Sequence, residues 1–144
     1  MDVTASVEIE RAPHEVASYA FDPANDPAWI GGIKRAEMMT EPPLREGTRV
    51  SRTAHFLGRK IEYVLEVVRM EPGRLLEMKS VKSPFPMEVM YAIEPSAAGS
   101  TMRIHVGGDS GGFYRFASPI VAPMVRRNIA GDLGRLKKIL ESKS

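Results

Sequence analysis

Three histidines are the first residues to consider for metal or acid–base chemistry, because a neutral imidazole binds metal ions and titrates near neutral pH. They are His14, His55 and His105, and they are widely separated along the chain. A mononuclear metal site takes three or four ligands, and sequence motifs for such sites place the ligands close together. The sequence has no cysteine, which excludes thiolate ligands, disulfides and a cysteine nucleophile. We therefore predict no metal site and no cofactor.

General acid–base catalysis would need an ionisable side chain inside the core, where the loss of water shifts its pKa. The glutamates of the strand-like segments alternate out of the apolar face, so we predict that they lie in water. These glutamates are Glu62, Glu66, Glu88 and Glu94. The polar side chains that remain as inward-facing candidates are Tyr63, Tyr91, Arg52, Asn128 and Asp109. The tyrosines are interpreted either as core aromatics with the hydroxyl at a rim or as groups that orient a ligand. No catalytic residue is assigned.

Composition and charge exclude several classes of protein. The 144 residues are enough for one domain with a single core, which we place at residues 1–144. The formal charge of +2 is too small for the phosphate-binding face of a nucleic-acid-binding protein. The N-terminal sequence lacks the basic and apolar regions of a signal peptide, and no apolar segment reaches the length of a membrane span. We therefore expect a cytoplasmic protein without integral membrane association.

The N-terminal residues predict a strand, a short helix and two turns. Apolar and polar residues alternate in VTASVEIE, which is the period of a strand with one dry face. Pro13 favours the first turn of a helix that runs to about Phe21. Two Asp-Pro steps follow, and each disfavours helical geometry before its proline. Any second helix before Trp29, the only tryptophan, is therefore limited to a turn or two.

From Ile33 to Val106 the sequence predicts six short strands separated by turns. The clearest alternating segments are 48–56, 60–70, 75–81, 87–93 and 101–106. Glycine and proline separate them at roughly regular spacing, which leaves no room for crossover helices between strands. We therefore predict an antiparallel meander with one dry face and one wet face.

The C-terminal residues predict a long amphipathic helix from Ala122 onward, because apolar residues advance there by three or four positions. The apolar stripe consists of Val125, Ile129, Leu133, Leu136 and Leu140. Upstream, Pro119 and Pro123 each remove a backbone hydrogen bond and bend or restart a helix. The regular helix is therefore predicted only from Ala122.

The chain as a whole resembles the START-like (SRPBCC) superfamily, which includes polyketide cyclase/dehydrase proteins, Bet v 1-type allergens and lipid-transfer domains. Three segments carry the resemblance: VEIERAPHEVASYAFDPANDPAWIGGIK, GTRVSRTAHFLGRKIEYVLEVVRMEPGRLLEM and RRNIAGDLGRLKKILES. The resemblance implies an α+β helix-grip fold, in which a seven-stranded curved antiparallel sheet surrounds a long C-terminal helix and two short helices follow strand one. It also implies a hydrophobic cavity between sheet and helix.

Given that fold, we expect the protein to bind a small hydrophobic or amphipathic ligand, such as a lipid, a quinone or an aromatic polyketide. The residues predicted to line the pocket or its entrance are Trp29, Tyr63, Leu65, Met78, Val89, Tyr91, Phe116, Val121, Val125 and Asn128. The main alternative is a polyketide cyclase/dehydratase-type enzyme in which a tyrosine or histidine donates a proton. A second alternative is a chaperone- or ribosome-associated interaction module that exposes Phe113 and Ile120. We expect a monomer or a homodimer whose partner is a small hydrophobic molecule rather than nucleic acid.

Overall fold

A computed structural model describes residues 2–56, 58–82, 86–108 and 113–143, without the side chains of Phe56, Lys82 and residues 113–121. In chain order the elements are β1 (Asp2–Ile9), α1 (Pro13–Ala20), a 3₁₀ turn (Pro23–Asn25), α2 (Asp26–Trp29), β2 (Ile33–Met38), β3 (Arg49–Phe56), β4 (Arg59–Glu71), β5 (Leu75–Lys82), β6 (Met87–Ser96), β7 (Gly99–Gly108) and α3 (Phe113–Ser142).

Seven strands in the described residues form one antiparallel sheet with the order β1-β7-β6-β5-β4-β3-β2. Strands β2 to β7 follow one another as the predicted meander, and β1 joins the sheet beside β7. The predicted α+β helix-grip fold is confirmed by this topology together with the C-terminal helix and the short helices after β1. Strand β2 is one edge of the sheet, and its register with β3 shifts between Ile33 and Arg35.

The two Asp-Pro steps start the two short turns of helix after α1. Pro23 and Pro27 each lie in the first turn of their element, where a missing backbone N–H is tolerated. Asp22 caps the 3₁₀ turn, because its Oδ1 accepts a hydrogen bond of 3.0 Å from the Ala24 backbone N–H. The chain therefore turns sharply before Trp29, whose side chain enters the core.

Helix α3 is longer than predicted, since it begins at Phe113 and continues past Pro119 and Pro123. An interior proline removes one hydrogen bond and can bend a helix without ending it. Among the described residues, no helix is both long enough and apolar enough to cross a membrane. Among the α3 side chains that the structure describes, the buried ones are Ile129, Asp132, Leu133, Leu136 and Leu140.

Polar contacts fix the C-terminal end of α3 against β1. Lys137 Nζ donates a hydrogen bond of 2.8 Å to the Glu8 carbonyl oxygen. The carboxylate of Glu141 accepts a hydrogen bond of 2.9 Å from the Glu10 backbone N–H. This half of the helix therefore has a defined position relative to the sheet, and so do the interior side chains that it covers.

Candidate functional site

The interior face of the sheet is completely buried at one end and only partly buried at the other. Along β6 the exposed fraction falls from a partly exposed Met87 through Val89 at 7% and Tyr91 at 3% to Ile93 at 1%. Strand β7 lies antiparallel to β6, so its C-terminal end is at the same side as the start of β6. The interior-facing Val106 at that end of β7 is also partly exposed. We call the five partly exposed apolar residues on this side the open end; they are Tyr63, Met87, Val106, Ala122 and Val125.

A buried polar cluster lies further inside, where Asp26, Arg52 and Tyr91 meet. Arg52 Nε donates a hydrogen bond of 3.0 Å to Asp26 Oδ2, and Arg52 Nη2 lies 2.9 Å from the same oxygen. Arg52 Nη2 also donates a hydrogen bond of 3.2 Å to the Tyr91 hydroxyl oxygen. The exposed fractions are 2% for Asp26, 5% for Arg52 and 3% for Tyr91. The guanidinium charge is thus matched by one carboxylate inside the core.

Three separate elements position this cluster. Asp26 is the first residue of α2, Arg52 lies in the middle of β3 opposite Tyr63 of β4, and Tyr91 lies on β6. A void of about 10 Å³ beside the three polar groups is otherwise lined by apolar side chains such as Val50. A void of that size is close to the minimum that holds one water molecule.

Burial controls the protonation of the cluster. Burial raises the pKa of Asp26, and the neighbouring Arg52 opposes this shift. Burial also raises the pKa of Tyr91 to about 12, against the opposing effect of Arg52. Tyr91 therefore keeps its phenolic proton at neutral pH, while the guanidinium of Arg52 remains charged.

Trp29 packs beside this cluster with its whole side chain buried. Its ring centroid lies 5.7 Å from that of Tyr91, with 59° between the ring planes, and Phe21 stacks on Tyr91 at 6.3 Å. The indole Nε1 of Trp29 has no hydrogen-bond partner in the described part of the structure. Such an unpaired donor is rare in a protein core.

A second polar cluster connects α3 to the turn that carries Trp29. Asp132, which is 5% exposed, accepts a hydrogen bond of 2.9 Å from the Gly31 backbone N–H and also pairs with Arg135. Arg135 Nε donates a hydrogen bond of 3.1 Å to the Trp29 carbonyl oxygen. The backbone around Trp29 is therefore held by the helix.

We expect Asp132→Asn to remove a pH dependence of stability that the wild type has. Burial raises the pKa of Asp132 above its ordinary value of 3.8, although the Gly31 N–H and Arg135 oppose the shift. Because the folded-state pKa is raised, the folded protein binds more protons than the unfolded chain at pH values between the unfolded-state and the folded-state pKa. The stability of the wild type relative to the variant should therefore fall as the pH rises from about 3.8 through the folded-state pKa.

Urea unfolding of both proteins across this pH range measures the difference, in which the contributions of all shared carboxylates cancel. Asparagine keeps an oxygen that accepts from the Gly31 N–H, so the comparison isolates the charge. A wild type that gains stability relative to the variant as the pH rises would show that the contacts with Gly31 and Arg135 outweigh burial.

The structure places part of the predicted pocket set in or beside the core. The fully buried members are Trp29, Leu65, Met78, Val89 and Tyr91, and the partly buried members are Tyr63 and Val125. Asn128 is exposed, because it lies about 100° around α3 from the buried Ile129. The side chains of Phe116 and Val121 lie outside the described residues, as do those of Phe113 and Ile120 and the whole of Asp109.

Asp26 was not predicted to belong to the site, because its Asp-Pro step is equally typical of a turn. A signal for it existed in Arg52, which shares its strand face with the apolar Val50 and Ala54. A cation on a dry face requires an acidic partner, and Asp26 supplies it. In the described part of the chain, no group of three or more histidine, aspartate or glutamate side chains has a metal-binding arrangement.

Larger clefts in the described residues open at the surface. One of about 990 Å³ is lined by residues that include Arg11, Tyr19 and Lys143, one of about 470 Å³ by residues that include Arg74, and one of about 400 Å³ by residues that include Leu44. None of the three is lined by the polar groups of the buried clusters. We therefore regard the interior face as the better candidate site, because its polar groups are few and desolvated.

Known structures share this fold at low sequence identity. The crystal structure of a Thermus thermophilus protein aligns with a TM-score of 0.83 and 17% identity over 99% of this chain and 98% of that one. A Nitrosomonas europaea protein aligns with a TM-score of 0.79 and 12% identity, over 98% and 94% of the two chains. The Zhui aromatase/cyclase of a Streptomyces species aligns with a TM-score of 0.76 and 14% identity, over 98% and 93%.

At the level of sequence, a family model described as polyketide cyclase/dehydrase and lipid transport matches residues 1–141. None of the curated protein sequences compared with the chain matches it. The structural neighbours are too distant in sequence to carry anything beyond the fold, whereas the family match covers nearly the whole chain.

Proposed function

The chain belongs to the family of polyketide cyclases, dehydrases and lipid-transport proteins, and on this basis we propose that it binds a small hydrophobic or amphipathic molecule between the sheet and α3. The observation that carries the proposal is the open end of the interior face, where apolar side chains of β4, β6, β7 and α3 are only partly buried. Covering apolar surface contributes about 25 cal/mol per Å² before the costs of binding are subtracted.

The proposed site extends from the open end to the buried aromatic residues. Tyr63 and Val125 lie at the open end, Val89 lies next along β6, and Tyr91 and Trp29 form the inner end. Leu65 and Met78 complete the inner wall, and a methionine adapts readily to apolar partners of different shapes. Asn128 is left out of the proposed site because it is exposed.

A cyclase or dehydratase acting on a polyketide-like substrate is the second candidate, favoured by the ionisable groups within the core. Against it, the Asp26 carboxylate is paired with Arg52, and the raised pKa of Tyr91 makes its phenol a weak acid. Ligand binding requires neither group to transfer a proton, so it is the simpler function for this arrangement.

The proposal is tested first by purifying the protein from its own host and identifying co-purified small molecules by native mass spectrometry and organic extraction. We expect a bound apolar or amphipathic molecule. In vitro, we expect Val125→Phe to weaken the binding of an apolar fluorescent probe about tenfold, because the larger ring occupies the open end.

The matched control is Val68→Phe, which makes the same change at an exposed valine of β4. This variant should bind the probe as the wild type does. Equal probe binding by the two variants, together with no co-purified molecule, would count against the proposed function. Turnover of a polyketide-like substrate by the wild type would instead favour the second candidate.

A further inference from the structure

Trp29 is placed to recognise one chemical class of ligand. We propose that the ligand presents a neutral hydrogen-bond acceptor, such as the carbonyl oxygen of a ketone, quinone or ester, to the indole N–H of Trp29. This inference rests on the proposed function and specifies the ligand's polar group. It starts from a fully buried indole N–H that no acceptor in the described residues satisfies.

Hydrogen bonds hold the backbone on both sides of Trp29. The Ile30 N–H donates a hydrogen bond of 2.9 Å to the Asp26 carbonyl oxygen, which closes the turn of α2. Arg135 Nε holds the Trp29 carbonyl oxygen at 3.1 Å, and Asp132 holds the Gly31 N–H at 2.9 Å. With the turn fixed on both sides and the ring packed against Tyr91, the N–H has no acceptor among the described residues, and a bound ligand would supply one.

Charge balance around Trp29 indicates that the acceptor is neutral. The positive charge of Arg52 is matched by Asp26, and the negative charge of Asp132 is matched by Arg135. A ligand carboxylate would add an unpaired charge to this desolvated region, and burial of an unpaired charge is strongly unfavourable. An indole N–H is an uncharged donor, which suits a carbonyl oxygen.

Tyr91 adds a second neutral donor near the same place. Its hydroxyl oxygen accepts from Arg52 and it keeps its own proton, since its pKa is raised to about 12 by burial. In the part of the chain that the structure describes, no hydrogen bond donated by this hydroxyl is present. The two aromatic side chains thus offer two neutral donors at the inner end.

The ligand would reach these donors along one face of β6. Met87 at the open end and Tyr91 at the inner end are four residues apart on the same face, a distance of about 13 Å in a strand. Val89 lies between them and is 7% exposed, so its side chain has to move aside when the ligand enters. The expected ligand therefore carries its carbonyl at the leading end of an apolar body.

The test uses three naphthalenes that differ only in the substituent at position 2, and it measures how well each displaces an apolar fluorescent probe. We expect 2-acetylnaphthalene to bind more tightly than 2-ethylnaphthalene, and 2-naphthoate to bind most weakly. Because the chain has a single tryptophan, biosynthetic replacement of tryptophan by β-(3-benzothienyl)alanine exchanges one N–H for sulfur at one site. This exchange should weaken 2-acetylnaphthalene about five- to tenfold and leave 2-ethylnaphthalene unchanged.

Stability without ligand supplies a second readout. The substituted protein should be at least as resistant to urea as the wild type, because an unpaired N–H is lost. A clear loss of resistance would mean that the N–H has a partner inside the chain, such as the face of the Tyr91 ring, and would overturn the inference. Equal affinity for the acetyl and ethyl compounds would overturn it as well, while the proposed function would stand. Failure of the probe and all three compounds to bind would remove the proposed function itself.

Discussion

Replacing Asp26 with alanine is expected to lower the free energy of unfolding by about 3–5 kcal/mol, because it leaves the guanidinium of Arg52 buried without a counter-charge. Arginine does not lose its proton at any accessible pH, so this charge persists in the core. For a domain of this size the loss corresponds to a decrease in melting temperature of roughly 6–20 °C. Urea unfolding followed by circular dichroism measures the change.

Two further variants separate the pair from other effects of the substitution. Arg52→Met should cost less than Asp26→Ala, because a carboxyl whose pKa is already raised by burial can take up a proton and become neutral. The double variant should recover most of the stability that Asp26→Ala loses, since it removes both charges. An exposed pair is the matched control: Glu37→Ala, which removes the partner of Arg35, should change stability by less than about 1 kcal/mol. A double variant no more stable than Asp26→Ala would refute the account.

Gly99→Ala is expected to destabilise the protein by about 2–5 kcal/mol. The backbone of Gly99 has φ of 141°, and a left-handed conformation costs a residue with a side chain about 1–2 kcal/mol. A Cβ atom there would also lie 2.7 Å from the Arg11 backbone nitrogen and 2.8 Å from the Ile9 carbonyl oxygen. These two atoms are hydrogen-bonded to each other, so neither can move aside cheaply, and overpacking adds about 1–3 kcal/mol.

Gly47→Ala isolates the backbone contribution. Gly47 has φ of 90°, but a Cβ atom there meets nothing within 4 Å. This variant should lose only about 1–2 kcal/mol. Equal losses in the two variants, measured by urea unfolding, would show that the close approach of Gly99 to β1 does not contribute.

The alternation of apolar and polar residues was sufficient to predict the sheet. In β6 the predicted dry residues Val89, Tyr91 and Ile93 are buried, and the predicted wet residues Glu88 and Glu94 are exposed. The resemblance to the START-like superfamily is confirmed by the family match and by the fold. The strand faces were predictable because they depend on a period that a short window of sequence contains, whereas the resemblance rests on three longer segments.

The polar clusters were not predictable in the same way, because they join residues far apart in sequence. Asp26 and Arg52 are separated by 26 positions, and Gly31 and Asp132 by 101. Nothing local to an Asp-Pro step distinguishes an aspartate that caps a turn from one that enters the core. Asp22 and Asp26 precede prolines in the same way, yet Asp22 is exposed and Asp26 is buried.

The start of α3 was also beyond what the sequence pattern could predict. The apolar stripe from Val125 to Leu140 defines a face, but the two prolines upstream are compatible with either a bend or an end of the helix. Asn128, a predicted pocket residue, lies outside this stripe and is exposed. Its angular position around α3 therefore determines whether Asn128 faces the core or the solvent.

The two outer strands of the sheet bear on how the protein avoids aggregation. An exposed strand edge offers unpaired backbone groups that can template pairing with another chain. At β1 the Glu8 carbonyl oxygen is already bound by Lys137 of α3. At β2 the strand has only six residues, its register is interrupted after Ile33, and exposed charges follow at Lys34, Arg35 and Glu37. The short, interrupted and charged edge at β2 is therefore a poor template for strand-to-strand growth, and at β1 helix α3 occupies one of the edge carbonyl groups.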